Sequence, residues 1–332
     1  MRLQLQGRRF RFSLRQPLRT AAGVLDAREG WLLRIEASDG ALGWGEVAPL
    51  DFAERPLCAV GLEQLVGEWM SRSHLEERLP MLSPALGFGV GAALAELDGL
   101  VGKAARQGWL AAPRSAELLP AGDRMLHQLE QLLEQRGRHR QLTVKWKVAA
   151  DPDPQEWLLL EALLARLPST ASLRLDANGG WSRATARRWM ERLVGDPRFA
   201  WLEQPLAPND QEGLDELAGL GPVALDESLD QDPSLRDHWC GWQVRRPLLE
   251  GDPRPLLRQL QECVPYRMLS TAFETGIGRR WLHHLAALQH QGPTPVAPGL
   301  APGWCPSGPL FSDDPNAVWA VSYTHLTLPT NA

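Results

Sequence analysis

Between residues 116 and 271 the chain repeats one pattern: a short apolar run, an amphipathic stretch of helical spacing, then another apolar run. The runs cover 116–121, 142–148, 172–177, 199–204, 222–227, 241–248 and 267–271. Their spacing is mostly ~20–30 residues, about one βα unit each, and helical stretches such as 155–166, 182–193 and 253–262 fill the gaps. Strands separated by helices pair in parallel, and seven or eight such units in series predict a (β/α) barrel. An open doubly wound sheet is the lesser reading, because no GxGxxG follows the first strand.

The first hundred residues read differently. Leu3 and Leu5, then Phe10, Phe12 and Leu14, alternate with polar residues at period two. Trp31-Leu32-Leu33-Arg34-Ile35-Glu36 is another strand, Ser38-Asp39-Gly40 a tight turn, and 41–47 the returning hairpin partner. Helical spacing follows Pro56 through 62–66, and again over the small-residue run 91–101. The expected division is an α+β unit over 1–105, a barrel over 106–310 and a C-terminal segment over 311–332.

Charge and composition remove several classes of function. Lys+Arg number 35 and Asp+Glu 40, a net charge of −5, which argues against a nucleic-acid groove or an anionic membrane surface as partner. No apolar run approaches the ~20 residues that span a bilayer. The arginine-dotted stretch 1–19 lacks a signal peptide's apolar block, so a cytoplasmic location is expected. Cys58, Cys240, Cys263 and Cys305 lie far apart with no CxxC pair, fitting neither a disulfide framework nor a zinc finger. Cys240 and Cys263 are read as small buried hydrophobes. His283 and His284, adjacent on a helical run, are surface or packing residues rather than ligands. The fourteen tryptophans form no stacking platform. Residues 86–91, glycine-rich but without a following Lys-Ser/Thr, are read as a turn into a closely packed helix. No feature of the sequence speaks to oligomeric state.

The informative residues are the acids that end the apolar runs. Leu173-Arg174-Leu175-Asp176, Trp201-Leu202-Glu203 and Ala224-Leu225-Asp226-Glu227 each close on a carboxylate at the C-terminal end of an expected strand, where barrel enzymes keep their chemistry. Asp176, Glu203 and Asp226 fall on consecutive strands. Neighbouring strands lie ~4.8 Å apart, so three acids at one level converge on one point. Like charges that close are unfavourable unless a cation holds them, and hard oxygen ligands of this kind suit Mg²⁺. The blander alternative is that each acid caps a helix or pairs with an arginine. Glu227 points away from Asp226 and is read as a supporting partner. In Thr143-Val144-Lys145-Trp146-Lys147-Val148, Lys145 and Lys147 share one strand face. Facing inward, their mutual repulsion and a nearby cation would lower their pKa values and let one act as a base; facing outward they would be ordinary surface lysines.

At these residues the sequence resembles the enolase superfamily, in its muconate-cycloisomerase-like branch. The matching pieces are Lys145-Trp146-Lys147, Leu175-Asp176-Ala177-Asn178, Trp201-Leu202-Glu203-Gln204-Pro205 and Leu225-Asp226-Glu227-Ser228. Further pieces are Gly43-Trp44-Gly45-Glu46 with Ala48-Pro49, and Ser270-Thr271-Ala272-Phe273-Glu274-Thr275-Gly276. The resemblance implies a modified TIM-type (β/α)7β barrel with an N-terminal α+β capping domain, and Mg²⁺ bound by Asp176, Glu203 and Asp226. Within the branch, the compact length and the stretch Leu119-Pro120-Ala121-Gly122 look most like the o-succinylbenzoate synthases, which dehydrate a succinyl-hydroxycyclohexadiene carboxylate on the route to menaquinone or phylloquinone. The resemblance implies that Lys147 removes the proton α to the substrate carboxylate, giving an enediolate, and then protonates the departing hydroxyl, with Lys145 assisting electrostatically. It also implies that cap segments 20–23 and 48–51 close over a small carboxylate substrate. Thr20, Gly23, Leu50, Asn178, Ser270 and Thr271 are the expected binding residues.

One departure stands out. The branch has a lysine before a proline on its sixth strand, whereas here the run is Val244-Arg245-Arg246-Pro247. Arg246 is always protonated and cannot be a second base, though it offers fixed charge or a cation–π contact. That disfavours the nearest alternatives, an N-acylamino-acid racemase or dipeptide epimerase, and leaves a one-base dehydration intact. A catalytically silent metal-binding barrel is the non-enzyme alternative, and it gives no reason to keep Lys147 beside three acids. Residues 322–332 resemble translated read-through rather than family sequence, so the native C-terminus is expected to be missing beyond about residue 320.

Overall fold

The computed structural model describes residues 1–20, 23–136 and 142–324. Strands β1 (Arg2–Thr20), β2 (Gly23–Ala37), β3 (Leu42–Val47) and β4 (Trp69–Ser71) form an antiparallel sheet in the order β3-β2-β1-β4. Helices α1 (Glu54–Glu63), α2 (Arg72–Arg78) and α3 (Pro84–Leu97) cover one face of it. The long hairpin changes its buried face along its length without losing register. Leu3 and Leu5 pack beneath the helices, whereas Phe10, Phe12 and Leu14, of opposite parity, pack on Ile277, Phe311 and Trp319. Pairing runs unbroken from Leu3↔Ala37 to Ser13↔Ala27, so the parity change marks a change of neighbour rather than a slip.

Residues 86–91, read from sequence as a turn, lie inside α3 instead. Pro84 stands in the first helical turn, where its missing N–H costs nothing. The glycines serve close approach: a Cβ on Gly45 would stand 1.9 Å from the Gly89 carbonyl oxygen, and one on Gly43 would stand 2.0 Å from that of Ala93. The helix therefore lies almost backbone to backbone on β3.

Seven parallel strands follow: β5 (Glu117–Leu119), β6 (Thr143–Lys147), β7 (Ser172–Asp176), β8 (Phe199–Glu203), β9 (Val223–Leu225), β10 (Trp242–Arg245) and β11 (Arg267–Leu269), each beside its predecessor. Helices α4 (Arg124–Arg136), α5 (Asp153–Arg166), α6 (Arg183–Leu193), α7 (Gln211–Ala218), α8 (Glu227–Gln231), α9 (Leu235–His238), α10 (Arg254–Gln261) and α11 (Gly276–Gln291) make the return crossings. Segment 298–300 bridges the two outer strands. Gly299 N donates to Leu269 O and Gly299 O accepts from Thr271 N, while Pro298 O accepts from Ala116 N beside β5. The sheet thus curls into the (β/α)7β arrangement.

Each strand divides its side chains by parity. Val144, Trp146, Leu173, Leu175, Leu202 and Leu225 pack outward on the helices. Trp201, Ala224, Val244 and Met268 fill the barrel floor, leaving the C-terminal strand ends above an apolar base. A last helix, α12 (Pro315–Thr324), crosses back to the first sheet, where the guanidinium of Arg8 lies 4.4 Å from the Trp319 ring centroid.

Cys240 and Cys263 are exposed rather than buried, because both fall on helix-to-strand connections, which run over the surface. His284 is a packing residue, buried, its Nδ1 accepting from Leu110 N at 3.2 Å. Ser322, Tyr323 and Thr324 continue α12, and 325–332 lie outside the described residues. No helix among the described residues is long and apolar enough to cross a membrane.

Candidate active site

Register brings the charged strand ends together. Lys147 pairs with Asp176 across β6 and β7, and Asp176 with Glu203 across β7 and β8. Asp226 follows β9 directly and precedes α8. The outward Val144, Trp146 and Val148 are fully buried, which turns Lys145 and Lys147 into the barrel. Lys145 sits one step deeper, and Lys147 opens to solvent at the mouth.

Glu203, Asp226 and Asp176 are 0%, 1% and 5% exposed. Lys145 Nζ donates to Glu203 Oε1 at 2.5 Å and pairs with Asp176 Oδ2 at 2.7 Å. Arg246 donates through both terminal nitrogens to the two oxygens of Asp226, and Asp230 stands 3.7 Å from the same guanidinium. In this arrangement burial pulls Lys145 down, but Asp176, Glu203 and Asp226 outweigh that and hold it above the usual lysine range. Burial pushes Glu203 upward against the pull of Lys145, and pushes Asp226 up to about 7 against the pull of Arg246.

Asn178, at φ +45°, donates its backbone N–H to Asp176 Oδ1 at 3.1 Å and its amide to Glu227 Oε1 at 2.9 Å. Glu227 thus reaches the cluster from the side, its second oxygen buried without a hydrogen-bond partner. Ser270 lies at the lip beside Gly299, its hydroxyl donating to that carbonyl at 3.4 Å. The Thr271 hydroxyl is engaged within its own loop, donating to Glu274 Oε2 at 2.6 Å and accepting from Phe273 N at 2.8 Å. Leu50 packs against the clusters that hold Leu269 and Ala272 on one side and Phe273 on the other. Thr20 and Gly23 pair at the end of the β1–β2 hairpin; residues 21 and 22 between them lie outside the described residues.

Sequence reasoning assigned no role to Gln204, yet it carries Asp226. Its Oε1 accepts from the backbone N–H of Asp226 and of Ser228, both at 3.0 Å, and its amide donates to Ser228 Oγ at 2.7 Å. The signal in the sequence was a glutamine between a strand-end acid and a proline, and the structure buries it fully. Trp201 was missed likewise, its indole N–H reaching Glu203 Oε2 at 3.4 Å.

The donor set suits a hard divalent cation. Asp176, Glu203, Asp226 and Glu227 gather around the mouth, where Lys145 and Arg246 are their nearest cations. Asp176 and Glu203 already converge on one point, now held by Lys145 Nζ. Among the described residues no three such groups stand in ligating geometry, since Lys145 and Arg246 draw the carboxylates toward themselves.

Comparison with known proteins agrees with this geometry. Residues 124–238 match the family model described as enolase C-terminal domain-like, and residues 5–97 match the MenC N-terminal domain. The o-succinylbenzoate synthase of Thermosynechococcus vestitus is 36% identical over 300 residues, covering 85% of this chain and 88% of that one. The crystal structure of o-succinylbenzoate synthase from Thermosynechococcus elongatus BP-1, complexed with Mg in its active site, superposes with a TM-score of 0.78 at 30% identity, covering 98% of this chain and all of that one. The L-Ala-D/L-Glu epimerase of Bacillus subtilis shares the fold, with a TM-score of 0.67 at 21% identity over 89% of each chain. The chain belongs to the o-succinylbenzoate synthase family of the enolase superfamily.

Proposed function

We propose that this protein is a Mg²⁺-dependent carbon–oxygen lyase that converts 2-succinyl-6-hydroxy-2,4-cyclohexadiene-1-carboxylate into o-succinylbenzoate and water, in menaquinone or phylloquinone biosynthesis. The observation that carries the reading is the asymmetry of the mouth. A solvent-open lysine, Lys147, stands on one side, and across from it an arginine takes the place where a second base would stand. One base fits a syn elimination, in which proton and hydroxyl leave from the same face.

Lys147, as the free amine, takes the proton from the ring carbon that bears the carboxylate. The electron pair of that C–H bond ends in the new ring double bond as the carbon–oxygen bond breaks. The ammonium of Lys147 gives its proton to the departing hydroxide, which leaves as water and restores the amine. Asp176, Glu203 and Asp226 are the residues that would hold Mg²⁺, and the bound ion supplies Lewis-acid stabilisation of the charge that builds on the substrate carboxylate. Lys145 keeps its charge beside Asp176 and Glu203 and fixes both carboxylates in place. Arg246 contributes a permanent positive charge on the side facing Lys147.

The test is a spectrophotometric dehydration assay with this substrate, run with Mg²⁺ and again with EDTA. Metal-dependent turnover is expected. Folded, Mg²⁺-binding protein without turnover would reject the lyase and direct the search to α-proton exchange on N-acylamino acids.

A further inference from the structure

Arg28 lies on β2 where the first sheet meets the barrel, and it is 2% exposed. A guanidinium so deeply buried must find acceptors. It finds two backbone carbonyls: Nη1 donates to Pro49 O at 2.9 Å and Nη2 to Ala48 O at 2.5 Å. Both belong to the connection from β3 to α1, and the next residue is Leu50, which packs at the barrel lip against the clusters of Leu269 and Phe273. The charge of Arg28 faces Glu46 and Glu274. Glu46 accepts from Thr275 N and Gly278 N at the start of α11, and Glu274 accepts from Ala272 N and Thr271 Oγ1 in the loop after β11. One forked side chain thus stands between a connection of the cap and the acids that anchor the lip of the barrel. Lysine has a single donor point and cannot reproduce that fork.

We infer that Arg28 is a positioning residue for substrate: it fixes the 48–51 connection, and with it Leu50, at the height over the barrel mouth that encloses the substrate ring. The inference rests on the dehydration reading above. Arg28 touches neither the acid cluster nor Lys147, so its effect falls on substrate enclosure, not on metal binding or proton transfer.

The test compares the full chain with Arg28→Lys and Arg28→Met in three measurements: steady-state dehydration with Mg²⁺, Mg²⁺ affinity by tryptophan fluorescence, and amide exchange over residues 49–54. Arg28→Lys should raise KM about tenfold with kcat within about threefold, because loosening a covering loop costs substrate placement before chemistry. Mg²⁺ affinity should hold, and exchange should quicken at 49–54. A lowered Tm with unchanged KM and no local quickening would make Arg28 merely structural and overturn the inference. Should Arg28→Met fail to fold, Leu50→Ala takes its place. Its KM effect should not add to that of Arg28→Lys, since both act through one loop; full additivity also overturns the inference. If the unmutated protein does not turn the substrate over, the dehydration reading fails, and the local exchange result still judges whether Arg28 holds the loop.

Discussion

Two buried charge clusters in this molecule are solvated in opposite ways. At the seam between cap and barrel, Glu46 accepts from Thr275 N, from the Thr275 hydroxyl at 2.5 Å and from Gly278 N at 2.9 Å, and Glu274 accepts from Ala272 N and Thr271 Oγ1. Most of those donors are backbone groups, fixed once the chain has folded. At the barrel mouth, Asp176, Glu203 and Asp226 are met chiefly by Lys145 and Arg246, which are long and rotatable. Both clusters bury carboxylates at similar depth. The seam's partners are mostly backbone donors of α11 and of the loop before it, whereas the mouth's partners are the ends of long side chains. The first cluster is met mostly by fixed backbone donors and the second by long side chains, and it is at the second that the proposed function places the metal ion and the substrate.

If that contrast is right, substitutions of the mouth acids and lysines change activity at constant Tm, and substitutions of the seam acids Glu46 and Glu274 change Tm at nearly constant activity. The largest effect belongs to Lys147→Ala, which should lower dehydration by about 10³-fold or more, the scale of a lost general acid–base group. Mg²⁺ binding followed by tryptophan fluorescence should survive it. Retention of turnover near the unmutated rate would remove Lys147 as the base. Next comes Asp226→Ala, expected to weaken Mg²⁺ affinity by about 10²-fold or more through loss of a ligating carboxylate. Calorimetric titration checks this, and an unchanged affinity would take Asp226 out of the metal site.

A smaller effect is expected for Arg246→Lys. If charge alone is needed, kcat falls by less than about tenfold; a much larger loss would show that the guanidinium fork on Asp226 matters. Glu46→Gln, at the seam, should cost about 1–3 kcal/mol in denaturant unfolding, because an amide meets the N–H donors of α11 less well, while kcat/KM changes little. Glu46 also contributes to the pH dependence of stability. Burial holds its carboxyl up at about 7, against the pull of Thr275. The folded state then binds more protons than the unfolded one between the ordinary glutamate value and 7, so this group's contribution to stability falls as pH rises through that window. Urea midpoints across that range should fall in the unmutated protein and flatten in Glu46→Gln. Equal slopes would show that Glu46 does not titrate there.

Much of the site was legible because its spacing is repetitive. Strand-end acids on successive βα units can only converge if the strands pair in parallel and in order, and Lys147↔Asp176 and Asp176↔Glu203 are the register partners that result. The exposed cysteines were misread because a residue's general tendency to be buried says nothing of whether it sits on a connection. The glycines of 86–91 were read as a turn because glycine permits both bends and close contact, and only the carbonyls of Gly89 and Ala93 lying against β3 decide between them.

What the sequence by itself determined is the strand-and-helix alternation, the acids and lysines at the strand ends, and an arginine, Arg246, ahead of Pro247 on the sixth strand. These follow from local period and residue type, which a single chain displays openly. What only the tertiary structure decided is which charges are paired with which. Lys145 bonds to two acids at once, Arg246 forks onto Asp226, Gln204 carries Asp226 from the neighbouring strand, and Arg28 reaches the connection above the mouth. Such pairings depend on distances between segments far apart in the chain and on the loss of solvent around them, and neither quantity is written in local sequence.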